Sequence, residues 1–264
     1  MRRLGPLSYI FHTIFVIFIL APLAVVVLVS FTSKGYLSMP TDGLSLRWFK
    51  AIWDAPEFIE AFWFSVCLAF VSASAATLIA VPAALALARM TFHGRAAISS
   101  FLLSPMLIPH LVLGVAFLQF YSRLGMGGTS VGLTAAHIVV IMPYAVRLSL
   151  ASITGLPRDA EQAALTLGAS RFTVFRRITL PLILPGVAGG WLLAFISSFD
   201  ELTMSVFVAA PATQTLPVKM YNHIVETIDP LSASVSTVTI VITFVVMLLL
   251  DRLYGIDKIF IGKS

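Results

Sequence analysis

Six times along its 264 residues the chain runs through an almost unbroken apolar stretch, each close to the roughly 20 residues that carry a helix across a bilayer core. The six stretches are Leu7–Phe31, Ile59–Ala88, Ala96–Phe120, Val131–Ile153, Leu182–Val208 and Ala233–Leu250. The reading is an all-α, polytopic membrane protein with six transmembrane helices. The second and fifth stretches exceed the needed length, which implies tilt or a protruding end. Composition agrees: 59% of residues are hydrophobic and 11% charged, whereas soluble domains run nearer half apolar and a quarter charged. The remainder leaves no room for a soluble domain and shows no internal repeat. Residues 1–264 therefore read as a single transmembrane domain.

Charge sets the expected orientation. Arg2 and Arg3 precede the first stretch, which is too long for a signal-peptide core, so it reads as a retained span with a positive flank rather than a twin-arginine signal. With the amino terminus inside, Arg89, Arg95, Arg147, Arg158, Arg171, Arg176, Arg177, Arg252, Lys258 and Lys263 join them on the cytoplasmic side. Only Lys34, Arg47, Lys50, Arg123 and Lys219 fall outside. This bias places both termini in the cytoplasm and gives the net charge of +5 an orienting role rather than a nucleic-acid-binding one. Cys67, the one cysteine, excludes an intrachain disulfide, and five scattered histidines offer no metal-ligand spacing. On the outer side, Leu44–Trp53 reads as a short amphipathic surface helix with Trp48 and Trp53 at headgroup level. Tyr121–Ser130 reads as a tight glycine-rich connection.

The segment from Thr154 to Pro181 is the expected cytoplasmic loop, and it holds the most charged continuous stretch, EQAALTLGASRFTVFRRITLP. Pro157 suits a first helical turn, with Asp159 and Glu161 complementing its positive end. Gly168 offers a helix-ending backbone, and Ser170 can cap a second helix carrying Phe172, Val174, Phe175 and Ile178. Pro181 and Pro185 mark the passage into the fifth span. Two short helices meeting at a bend are expected, with Ala163, Ala164 and Gly168 permitting close approach. Two roles stay open on the residues alone: capping the bundle's own end, or docking a cytosolic partner.

The same stretch resembles the signature loop of the inner-membrane permease subunits of binding-protein-dependent ABC importers: Glu-Ala-Ala, three residues, Gly, nine residues, Ile-x-Leu-Pro. Ala163, Ala164, Gly168, Ile178, Leu180 and Pro181 match at that spacing, while Gln162 stands at the glutamate position with Glu161 before it. Gly190–Ile224 and Ala136–Arg147 are similar to the fifth and fourth spans of spermidine/putrescine-type permeases, especially the second subunit of the pair. The resemblance implies a type I ABC importer permease fold in a bacterial inner membrane. It also implies pairing with a homologous permease, two cytosolic ATPase subunits below, and a soluble substrate-binding protein on the outer side. Glu161, Gln162, Ala163, Ala164, Gly168, Ile178, Leu180 and Pro181 then form the coupling loop held by the ATPase.

Such a chain is a transport subunit, not an enzyme. It lacks the Gly-x-x-x-x-Gly-Lys-Ser/Thr phosphate loop, so ATP and Mg²⁺ belong to the partner ATPases. The implied solute is a small cationic amine such as putrescine or spermidine; an amino acid, opine or other amine is the alternative. A self-sufficient secondary transporter is the reading from another class, and it has no use for the Gly168-centred loop.

Ionisable groups within spans single out the candidate path. His110 follows Pro109 inside the third stretch, where the pair loosens the helix, and it lines the path or packs. His137, near Pro143 and Tyr144, reads as a buried hydrogen-bonding or kink-supporting group, with ligand contact as the alternative. Asp200 and Glu201 lie about fifteen residues past Pro185, roughly 22 Å along a helix and so in the outer membrane half, where they line the path or stand exposed at the interface. No lysine or arginine occurs between Arg177 and Lys219 to balance them. Adjacent helical residues point about 100° apart, so one carboxylate is expected to face the path, with Asp200 favoured as the nearer to the membrane centre.

Overall fold

The computed structural model describes residues 5–254; Arg2, Arg3, Lys258 and Lys263, used above for orientation, lie outside them. The described residues form helices joined by turns, with no strand. By contacts the chain divides into two compact units, Met1–Glu60 with Lys219–Leu249, and Ala61–Val218 with Leu250–Ser264.

The first unit holds α1 (Pro6–Ser30), α2 (Arg47–Ala51) and most of α11 (Leu216–Glu226) and α12 (Leu231–Tyr254). Pro6 opens α1, where its missing N–H removes no bond. The surface helix expected over Leu44–Trp53 shrinks to the five residues of α2, because Trp48 and Phe49 turn inward. The Trp48 indole donates to the Lys34 carbonyl at 3.0 Å, and the Phe49 ring lies 5.0 Å from that of Phe31. Trp53 remains exposed. Lys34 pairs with Asp42 at 3.2 Å, and that hydrogen bond raises the ammonium's pKa above its ordinary value. Helix α11 lies outside the six apolar stretches.

The second unit carries most of α3 (Pro56–Arg89), then α4 (Arg95–Leu103), α5 (His110–Arg123), α6 (Ser130–Thr154), α7 (Asp159–Thr166), α8 (Arg171–Val174), α9 (Leu180–Phe199) and α10 (Ser205–Val208). Its core is built on small side chains. Ala69, Ala73, Ala76, Ala80 and Ala84 recur three or four residues apart along α3 and are fully buried, which places them on one helix face. Ala73, Ala76, Ala80 and Ala84 meet Ile141, Ala145 and Val146 of α6 and Ile183, Val187 and Ala194 of α9. Helices α6 and α9 approach so closely that a methyl group on Gly186 would collide with the Ser152 hydroxyl, and one on Gly190 would press on Leu148. Lipid offers no hydrophobic drive between helices, so close backbone approach through small residues is what holds them together.

Five described helical segments are long and apolar enough to cross a membrane: Leu7–Ser30, Pro56–Arg89, Ser130–Thr154, Arg171–Phe199 and Leu231–Leu248. The third expected span differs. Arg95–Leu107 and His110–Arg123 are two pieces bent by 103°. Pro105 and Pro109 are the cause: Ser104–Leu107 tightens to a 3-10 turn, and Ile108, preceding a proline, is forced extended at φ −95°, ψ 130°.

The fifth span is corrected at both ends. It begins at Arg171 and reaches α9 through a π turn, Phe175–Thr179, so the second loop helix is the foot of the span rather than a separate element. It stops at Phe199 instead of running to Val208, and the chain turns through 200–204 before α10. The first loop helix starts at Asp159, two residues beyond Pro157.

Candidate functional site

The loop between α6 and α9 is built by local chemistry the sequence spells out. Gly168 sits at φ +86°, the left-handed conformation that ends a helix most cheaply as glycine. The Ala169 N–H closes on the Ala164 carbonyl at 3.0 Å and the Gly168 N–H on that of Leu165 at 3.0 Å. The Ser170 side chain then accepts the Thr173 N–H at 3.2 Å, capping α8. Nothing lies within 4 Å of where a Gly168 side chain would begin, so the bend faces open space.

Around it Gln162, Ala163, Leu165, Leu167 and Phe172 are exposed, while Glu161 and Ala164 are the half-buried residues of α7. Ile178 and Leu180 are half-buried, Leu180 against the cluster of Ala84, Ile153 and Ile183; Pro181 is exposed at the start of α9. The signature residues thus divide into an outward set and an inward set. Glu161 Oε1 accepts from Arg89 Nη2 at 3.2 Å and from the Thr179 hydroxyl at 2.8 Å. Arg89 and Thr179 carried no signal in the sequence beyond a basic residue ending a span and an ordinary threonine.

A second constellation forms where α5 begins and α9 ends. His110 Nδ1 lies 2.6 Å from Glu201 Oε2, and Glu201 Oε1 accepts the Met204 N–H at 2.7 Å, at the start of α10. The hydrogen-bonding partner of Glu201 is therefore supplied by the bent third span, 91 residues away in sequence. The two neighbouring carboxylates face different surroundings: Glu201 is buried, whereas Asp200 caps α9 and is exposed. Gly114 of α5 lets Met204 and Phe207 pack directly against its backbone.

His137, fully buried, bonds through Nδ1 to the Ser198 hydroxyl at 2.8 Å and through Nε2 to that of Ser205 at 3.0 Å. It braces both sides of the turn that carries Asp200 and Glu201, which agrees with its expected hydrogen-bonding role. Among the described residues no cluster of histidine, cysteine or carboxylate side chains is placed to hold a metal.

Membrane-length helices, one span broken at prolines, another ending at paired carboxylates, and a glycine-centred loop presenting small residues are the features of a transport permease. The chain belongs to the family of binding-protein-dependent transport system inner membrane components, whose sequence profile matches residues 76–256. It is an inner-membrane, multi-pass subunit of an ABC importer, and its fold is that of type I permeases.

The chain is 30% identical over 248 residues to the spermidine/putrescine transport system permease protein PotC of Escherichia coli K12, covering 94% of this chain and 93% of the relative. It is 29% identical to the putrescine transport system permease protein PotI of the same organism, over 81% of this chain and 78% of that one. It is 33% identical to the molybdenum transport system permease protein ModB of Mycobacterium bovis, over 81% and 88%. Among solved structures, a bacterial alginate ABC transporter in complex with an alginate pentasaccharide-bound periplasmic protein superposes with a TM-score of 0.71 at 17% identity, covering 97% and 94% of the two chains. The MetNI methionine ABC transporter in an inward-facing conformation gives a TM-score of 0.59 at 19% identity, over 78% and 96%.

Proposed function

We propose that this permease moves a polyamine, putrescine or spermidine, across the bacterial inner membrane. The whole chain acts as one transmembrane domain, with both termini and the loop 154–181 on the cytoplasmic side. It pairs with a homologous permease, rests on two ATPase subunits that bind ATP and Mg²⁺, and receives its solute from a binding protein outside. The loop docks on the ATPase through the exposed residues around Gly168, with Leu167 and Phe172 as apolar anchors. ATP-driven closure then shifts the equilibrium between inward-open and outward-open states, because the ATPase holds the loop with different affinity in each.

The polyamine reading is supported by the relatives' printed substrates, and the observation that carries it is Asp200. This carboxylate is exposed at the end of α9 and forms no ion pair among the described residues. A carboxylate inside a membrane protein is costly unless it meets a cation, and a passing ammonium supplies one. Glu201 and His110 complete the candidate path by fixing the turn on which Asp200 stands.

The His110–Glu201 pair also favours a second reading. With Glu201 already partnered, one free carboxylate suits a single ammonium, as in an amino acid or a monoamine.

The test is uptake of labelled putrescine and spermidine by cells that lack their own polyamine importers and express this chain with its cognate subunits. Asp200→Asn is expected to lower uptake while the ATPase still co-purifies. If neither polyamine enters, or if Asp200→Asn and Glu201→Gln both transport at the wild-type rate, the polyamine reading is overturned.

A further inference from the structure

Helix α3 ends at Arg89, and a helix end leaves its last carbonyls without intrahelical partners. Here that end is fastened to the loop at several points. Arg158 Nη2 donates to the Ala88 carbonyl at 3.1 Å. Arg89 Nη2 donates to the Leu156 carbonyl at 3.2 Å and to Glu161 Oε1 at 3.2 Å. The same Glu161 oxygen accepts the hydroxyl of Thr179, a buried residue that closes the π turn beneath α9. One carboxylate oxygen therefore joins the end of α3, the loop helix α7 and the foot of the fifth span.

Three features make this more than a surface ion pair. The side chains of Arg89 and Glu161 are only 18% and 15% exposed, so removing one leaves the other charge largely withdrawn from water. The Thr179 hydroxyl adds a charge-assisted hydrogen bond, the stronger kind. The π turn is a rare geometry, and such turns cluster where a helix has a mechanical or functional task. Meanwhile Glu161 and Ala164, three residues apart, form the inward face of α7, and Gln162 and Ala163 look outward.

We propose that Glu161 is a positioning residue: it straps the loop helix to α3 and to the π turn, so that the three elements move as one rigid body when the ATPase moves the loop. The inference rests on the docking reading of the loop. It assigns to Glu161 an inward task, in place of the partner contact that the resemblance implied for the residue beside Gln162. Docking falls to the outward residues.

The test uses the full importer complex in a Cys67→Ser background, with spin labels at Thr166→Cys on α7 and Met90→Cys just beyond α3. Distances are measured without nucleotide and after trapping with ATP and vanadate. In the otherwise wild-type complex the distance is expected to be narrow and the same in both states. Glu161→Gln and the near-isosteric Thr179→Val are expected to broaden it, since losing a charge-assisted bond raises the strap-open population roughly tenfold. Thr179→Ser, which keeps the hydroxyl, is expected to restore the narrow distribution, an effect a packing role alone does not give.

The ATPase is expected to co-purify with every variant. Its absence from the wild-type chain overturns the docking reading and the strap together. Its loss only with Glu161→Gln makes Glu161 a direct contact and overturns the strap. So does a wild-type distance that changes on trapping, or a Thr179→Val distribution as narrow as wild type.

Discussion

Helices α1 and α6 have the same length, 25 residues each, yet opposite surroundings. Helix α1 is the more hydropathic of the two, and only 6% of its most apolar stretch is buried; for α6 the figure is 56%. Helix α1 is dense in Ile, Phe, Leu and Val that stand exposed, while α6 carries Gly132, Ala136, His137, Ala145 and Ser149, all buried. A water-soluble protein would show the reverse ranking. In a bilayer the tails are as apolar as leucine, so bulky aliphatic side chains are satisfied facing lipid, and small and polar residues join Leu133, Val140, Ile141, Val146 and Ile153 inside, where they let helices interlock.

The largest effect that could break this contrast belongs to the α6–α9 contact. Gly186→Leu is expected to destabilise the permease by about 3 kcal/mol, because its side chain meets Ser152, whose Cβ would stand 2.8 Å away. Recovery of monodisperse protein after detergent extraction and mild heating measures it, and a well-behaved Gly186→Leu protein would break the account of α6 as a helix packed at backbone range.

A smaller loss is expected from His137→Ala, which leaves the Ser198 and Ser205 hydroxyls without their partner and loosens the turn before Asp200. The expected cost is roughly 2 kcal/mol in the same heating assay, with protease sensitivity appearing near residues 200–204.

At the bottom of the scale, Phe18→Ala on α1 should change stability by no more than about 0.5 kcal/mol, since Phe18 is 76% exposed. A loss from Phe18→Ala matching that of His137→Ala would show α1 covered by protein in the assembled importer, and would sharpen the comparison into one between two kinds of interface.

Much of this was legible one residue at a time. The apolar runs gave most of the helices, Pro109 gave a weak point in the third span though not its break, and Gly168 and Ser170 gave the loop's bend and cap. Each is a local effect, set by backbone sterics or by a side chain reaching its own neighbours. Even the early end of α9 has a local sign, in the Asp200-Glu201 pair that follows fifteen uncharged residues from Pro185.

What the residues could not disclose is which distant group answers each buried polar one. The sequence determined that Glu201 needed a partner, because an unpaired carboxylate in a membrane is expensive. Only the tertiary structure decided that His110 would serve, by bending the third span at its prolines and bringing α5 against α10. Glu161 follows the same logic. Its place in a signature loop is written in the order of residues. Its inward turn toward Arg89 and Thr179 depends on where α3 happens to end, and hydrogen bonds over 72 and 18 residues of separation leave no periodic trace along the chain.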